Sequence, residues 1–139
     1  MPGRVLVVED NELHLQLVSD LLTLHGFEVL CASTGARALV LAEESAPDLI
    51  LMDISLQGMN GFEVTRMLKR NPNTAGIPVV ALTAYAMQHD QEQAEEAGCA
   101  GYIPKPIDTR TFPSLVSTFI PKGGPEGGRT RRLPADRRR

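Results

Sequence analysis

A chain of 139 residues, 42% of them hydrophobic, is sized for one globular domain with a core of its own. No apolar run nears the roughly eighteen residues of a membrane span, and the opening "MPGRVLVVED" has only Arg4 before a short run that ends in acids, so a cytoplasmic protein, neither exported nor membrane-bound, is expected. Cys31 and Cys99 are too few for a disulfide framework and lack ligand spacing with His14, His25 and His89, so zinc is not expected and both thiols read as buried.

In chain order, short β-rich apolar runs alternate with longer amphipathic ones through residue 120, the pattern of a parallel sheet wrapped by helices. "RVLVVE" (4–9) is the first strand. Asn11, a good N-cap, then opens a helix on which Leu13, Leu17, Leu21, Leu22 and Leu24 recur at near-helical spacing, and Gly26 stops it. "EVLCA" (28–32) is the second strand and "TGARALVLAEES" the second helix, closed before Pro47. "DLILMD" (48–53) is the third strand and "FEVTRMLKR" the third helix, closed by Asn71 and Pro72. "PVVALT" (78–83) is the fourth strand; "HDQEQAEEAG" makes a polar helix ending at Gly98, whose Asp90, Glu92, Glu95 and Glu96 read as a solvated face. "GYI" (101–103) is the last and shortest strand. Pro113 falls in the first turns of a helix running from about Asp108 to Ile120, so that helix either begins late, near Thr111, or is bent. The first, third and fourth strands are almost wholly apolar and belong in the middle of the sheet, covered on both faces.

Residues 121–139 carry seven basic side chains against two acidic ones, a net +5, so an overall −3 leaves −8 on residues 1–120. This tail is dense in Gly and Pro and has no periodic apolar face, so the chain divides into a folded domain (1–120) and a disordered basic tail (121–139). Without aromatics or a recognition helix, the tail reads as solvated rather than nucleic-acid-binding, and it could dock on the acidic domain or an acidic partner.

The stretch "PDLILMDISLQGMNG" (47–61) ends an apolar strand in a carboxylate, Asp53. A buried charge is costly unless paired, so Asp53 either emerges into water or meets a cation; a carboxylate displayed at the sheet's edge is the expectation. Right-handed crossovers make all five strands parallel, and their C-terminal ends then share the edge where open α/β sheets bind ligands. The first strand brings Glu9 and Asp10 there, the third Asp53, the fourth Thr83, and the segment after the fifth Lys105. Each alone has an ordinary explanation: a helix cap, a turn former, a strand ending, a solvated lysine. Their coincidence at one edge argues for a site. Three carboxylates repel unless a cation holds them, and hard oxygen ligands suit Mg²⁺, which typically recruits a phosphate. A phosphoryl group would then meet Asp53 as nucleophile, with Lys105 and the Thr83 hydroxyl donating to its oxygens.

The segments "VLVVEDN", "PDLILMDI", "GMNGFEV", "IPVVALTAYA" and "AGCAGYIPKPID", in this order and spacing, resemble a response-regulator receiver domain of two-component signalling from residue 4 to about 120. With no effector attached, the chain is similar to stand-alone regulators of the DivK type. The resemblance implies a flavodoxin-like (βα)5 doubly wound α/β fold with a five-stranded parallel sheet in the order 2-1-3-4-5. It implies that Asp53 accepts a phosphoryl group from a phosphohistidine of a sensor histidine kinase or a histidine phosphotransfer protein. Mg²⁺ would be bound by Asp10 directly and by Glu9 through water, Glu9 standing where many relatives have Asp; Asp53 and the Ser55 backbone carbonyl would be further ligands. Thr83 and Tyr102 would form a switch pair, Lys105 would hold the phosphoryl oxygens, and the Lys105–Pro106 bond would be cis. The fourth helix, fifth strand and fifth helix would signal to a downstream protein target. Such a chain is a phosphorylatable switch rather than an enzyme, catalysing only its own phosphorylation and slow dephosphorylation, and it carries no DNA-binding domain.

Two positions depart from the family pattern. Gln57 stands where relatives usually have Pro, freeing the loop that presents the Ser55 carbonyl, so weaker Mg²⁺ binding is expected. Pro113 and Pro121 shorten the last helix, which many relatives use to dimerise, so a monomer is expected. Ser55 and Tyr85 are expected to tune the phosphoryl lifetime. The alternatives are a degenerate receiver that binds partners without phosphorylation, which the full set of site residues disfavours, and an aspartate-nucleophile phosphohydrolase, which wants an acid where Ser55 stands. A flavin-binding fold of the same topology is disfavoured because Glu9 and Asp10 would repel the cofactor's phosphate.

Overall fold

The computed structural model describes residues 3–56, 58–84 and 88–121, with 88–90 described by their backbone alone. The expectations for Gln57, Tyr85 and the tail beyond Pro121 lie outside the described residues, as does the side chain of Asp90. Five strands alternate with five helices: β1 (Arg4–Val8), α1 (Glu12–Leu24), β2 (Glu28–Ala32), α2 (Gly35–Ser45), β3 (Leu49–Asp53), α3 (Gly61–Arg70), β4 (Val79–Thr83), α4 (Gln88–Ala97), β5 (Gly101–Pro104) and α5 (Phe112–Phe119). The strands form one sheet in the order β2-β1-β3-β4-β5 with every pairing parallel, which is the flavodoxin-like order.

β1, β3 and β4 are apolar but for one end residue each, as strands covered on both faces are, and alternate residues serve opposite layers. Val5, Val7, Leu49, Leu51, Val80 and Leu82 pack with Val18 and Leu22 of α1 and with Phe112 and Val116 of α5. Leu6, Val8, Ile50, Met52 and Val79 pack with Ala38 and Ala42 of α2 and with Val64 and Leu68 of α3. A smaller cluster seats α4, through Ala94 and Ala97, on Phe62 and Ala81, with Tyr102 of β5 packed alongside.

Helix ends follow local chemistry. Asn11 caps α1 by accepting the His14 N–H, and the helix closes as the Gly26 N–H (φ 93°) donates to the Thr23 carbonyl and the buried Phe27 N–H to that of Leu22. α5 starts late: Thr111 is its N-cap and Pro113 occupies its first turn, where no intrahelical N–H is needed. Glu92, Glu95 and Glu96 are exposed along α4, as a solvated face requires.

One expectation is corrected. Cys31 is exposed on β2, an edge strand with a neighbouring strand on one side only, while Cys99 is half-buried. The leucines of α1 do not share one buried face. Val18 and Leu22 fill the core, whereas Leu13, Leu17 and Leu24 stand 84%, 45% and 79% exposed. Five leucines spaced over about three turns span too wide an arc to bury against one sheet.

Candidate functional site

The C-terminal ends of β1 and β3 lie side by side, Val8 opposite Met52, so the residues that follow Val8 come up beside Asp53. Carboxylate oxygens of Glu9, Asp10 and Asp53 lie within 4.8 Å of one another. Lys105, which follows β5, reaches across to set its Nζ 3.1 Å from Asp53 Oδ1 and 3.3 Å from Glu9 Oε1. Its backbone N–H donates to the Thr83 carbonyl at 2.8 Å, which ties the loop to β4, and its bond to Pro106 is cis. Thr83 is buried at the end of β4, and Tyr102 is half-buried opposite Ala81. The strand ends thus gather Glu9, Asp10, Asp53, Thr83 and Lys105 along one edge of the sheet.

Asp53 is not displayed. It is 3% exposed, and Glu9 is 1% exposed, so the expectation of a carboxylate standing in water fails. The cost of burying these charges is met by donors. Oδ1 of Asp53 accepts the Ser55 N–H at 3.1 Å besides its contact with Lys105. Oε2 of Glu9 accepts the Asn11 N–H at 3.1 Å, and Oε1 lies 2.5 Å from His14 Nδ1.

Burial pushes the Glu9 carboxyl up, but its hydrogen bonds to Asp53, the Asn11 N–H and His14, together with the Lys105 charge, outweigh burial and hold it below the usual range. Asp53 moves the other way. Burial raises it first, the hydrogen bond and charge of Glu9 raise it further, and the Ser55 N–H and Lys105 only partly oppose them. Burial and the neighbouring Glu9 thus disfavour the ionised form of Asp53 when no cation is beside it. The donor set, three carboxylates converging beside one ammonium, consists of hard oxygens carrying excess negative charge, and it fits Mg²⁺.

His14 escaped the sequence reading, which looked for histidine–cysteine spacing. The available signal was its position, third after the N-cap Asn11, where a side chain can reach back past the start of the helix.

A family model described as the response regulator receiver domain matches residues 5–117. The chain belongs to that family. The receiver domain is 44% identical over 120 residues to the polar-differentiation response regulator DivK of Brucella anthropi, covering 86% of this chain and 98% of the relative. It is 43% identical to DivK of Brucella abortus over the same shares. Among solved structures it resembles the Vibrio cholerae chemotaxis protein CheY4 (TM-score 0.81, 26% identity, 85% and 98% of the two chains). It also resembles the receiver domain of the Pseudomonas aeruginosa sensor histidine kinase PA1611, solved with a magnesium ion coordinated in its active site cleft (TM-score 0.78, 31% identity, 85% and 97%). This receiver domain is therefore of the two-component signalling class, and among its described residues no helix is long and apolar enough to cross a membrane.

Proposed function

We propose that this receiver domain is the phosphoacceptor of a two-component phosphorelay, taking a phosphoryl group onto Asp53 from a phosphohistidine of a sensor histidine kinase or histidine phosphotransfer protein. One observation carries the reading: the Asp53 carboxylate, at the end of a central strand, lies 3.1 Å from the Lys105 ammonium and within 4.8 Å of the Glu9 and Asp10 oxygens. Asp10 and Asp53 would hold Mg²⁺ directly and Glu9 through water, with the Ser55 backbone carbonyl as a further ligand. The ion supplies positive charge that neutralises the carboxylates and draws in phosphoryl oxygens. The magnesium-bound PA1611 receiver supports this assignment.

An Asp53 oxygen attacks phosphorus, the P–N bond breaks, and its electron pair leaves with the imidazole. Lys105 then transfers its ammonium from the carboxylates to the phosphoryl oxygens, and the Thr83 hydroxyl donates to them as well. Tyr102, packed on the cluster of Phe62, Ala81, Ala94 and Ala97, turns inward as Thr83 moves, so the surface of α4, β5 and α5 changes for a downstream protein target. Leu13 and Leu17, exposed on α1 just beyond Asp10, offer apolar contact area beside the site for the phosphodonor. An α5 of eight residues favours action as a monomer.

The test is intact mass after incubation with acetyl phosphate. Wild type should gain one phosphoryl group only with Mg²⁺ present, and Asp53→Asn should gain none. A wild type that binds Mg²⁺ but gains no mass would defeat the phosphoacceptor reading in favour of a phosphorylation-independent binding module.

A further inference from the structure

We infer that His14 is a positioning residue for Glu9, holding that carboxylate in place for the Mg²⁺ site; this rests on the reading of Glu9 as a Mg²⁺ ligand through water. Glu9 has one more rotatable bond than an aspartate, so it has more orientations to lose when its carboxylate is held at one place. Besides its contact with Asp53, three groups hold it. Oε2 takes the Asn11 N–H at 3.1 Å, while Oε1 is shared between His14 Nδ1 at 2.5 Å and Lys105 Nζ at 3.3 Å.

The arrangement grows out of the helix start. His14 is the third residue of α1, and its own N–H is bound to Asn11 Oδ1 at 3.0 Å, so its backbone is fixed by the same cap. In an ordinary capping box the third residue's side chain reaches back to the N-cap N–H. Here Glu9 takes that N–H from in front of the helix, and the third residue reaches back to Glu9 instead. With Glu9 ionised, Nδ1 carries the proton and donates it into the bond.

Lys105 has other work. Its ammonium also binds Asp53, and on phosphorylation it leaves Glu9 for the phosphoryl oxygens. At that moment Oε1 keeps His14 as its side-chain donor. His14 thus preserves the Glu9 orientation through the step in which Lys105 departs, as outer-sphere partners do for metal ligands generally.

The experiment compares wild type, His14→Leu and His14→Asn, whose Nδ2 stands at the position of the histidine Nδ1. Mg²⁺ affinity is measured by calorimetry and by the rise of the melting temperature with added Mg²⁺. His14→Leu should raise the half-saturating Mg²⁺ concentration about tenfold or more, the range for loss of an outer-sphere partner, with phosphorylation at saturating Mg²⁺ within about twofold of wild type; His14→Asn should restore most of the affinity. In a Glu9→Asp background, where the carboxylate is drawn back out of reach of Nδ1, His14→Leu should change little. Equal Mg²⁺ affinity of wild type and His14→Leu, or failure of a folded His14→Asn to restore affinity, overturns the inference whether or not Asp53 is phosphorylated. A wild type that binds Mg²⁺ with the expected His14 dependence but gains no phosphoryl mass defeats only the phosphoacceptor reading. A wild type that binds no Mg²⁺ overturns both.

Discussion

Gly61→Ala tests how tightly α3 is pressed against the end of the acceptor strand. A Cβ at Gly61 would lie 2.4 Å from the Asp53 carbonyl oxygen, 2.8 Å from Ile54 Cα and 3.1 Å from the Asp53 carbonyl carbon, all of them backbone atoms that no rotamer change can move. Bringing the nearest contact to 3.0 Å requires the helix start and the strand end to part by 0.6 Å. The Gly61 N–H donates to the Ile54 carbonyl at 3.0 Å, so parting them strains that bond, and Phe62, buried against Ala81, is carried outward too. In a solvated helix Ala would be better than Gly by about 1 kcal/mol. Overpacking of about 1–3 kcal/mol and a weakened hydrogen bond of about 1 kcal/mol oppose it, so a net loss of about 1–3 kcal/mol is expected. Urea unfolding followed by circular dichroism should show the midpoint fall with the slope unchanged. If Gly61→Ala proves as stable as wild type or more so, helix propensity has won and the close approach of α3 to Asp53 is not what requires glycine.

Phe112→Ala should cost about 3–5 kcal/mol, because the ring is fully buried between α5 and the sheet; a urea-melt loss below about 1 kcal/mol would show that the short helix does not anchor this face. Lys69 makes a pH prediction. Its ammonium donates to the Ala75 and Ile77 carbonyls at 3.0 and 2.7 Å, and burial lowers its pKa from 10.5, with the half-buried Cys99 thiol opposing. Between the lowered value and 10.5 the unfolded chain binds more protons, so this group adds stability as pH rises through that window and removes it as pH falls. Burial raises the Cys99 thiol and gives the opposite slope, so the comparison belongs in a Cys99→Ala background. There the stability difference between Lys69 and Lys69→Met proteins, from urea midpoints at several pH values, should grow in favour of Lys69 toward alkaline pH; a shrinking difference would refute it.

Much of this receiver domain was legible in one sequence. Alternating apolar and amphipathic runs set strands against helices, local signals at Asn11, Gly26 and Pro113 marked helix ends, and parallel strands required Glu9, Asp10, Asp53, Thr83 and Lys105 to meet at one edge. These features are short-range or topological, so they survive without coordinates. The two faces of β1, β3 and β4 did not, since in an all-apolar strand alternation leaves no mark; only packing assigned Val5 and Val7 to α1 and α5, and Leu6 and Val8 to α2 and α3. The same limit hid which leucines of α1 are buried and the exposure of Cys31 on an edge strand. It also hid the burial of Asp53. Whether a carboxylate at a strand end faces water depends on what chain segments far away in sequence bring over it, and here the third dimension brought Lys105 and Glu9 onto it.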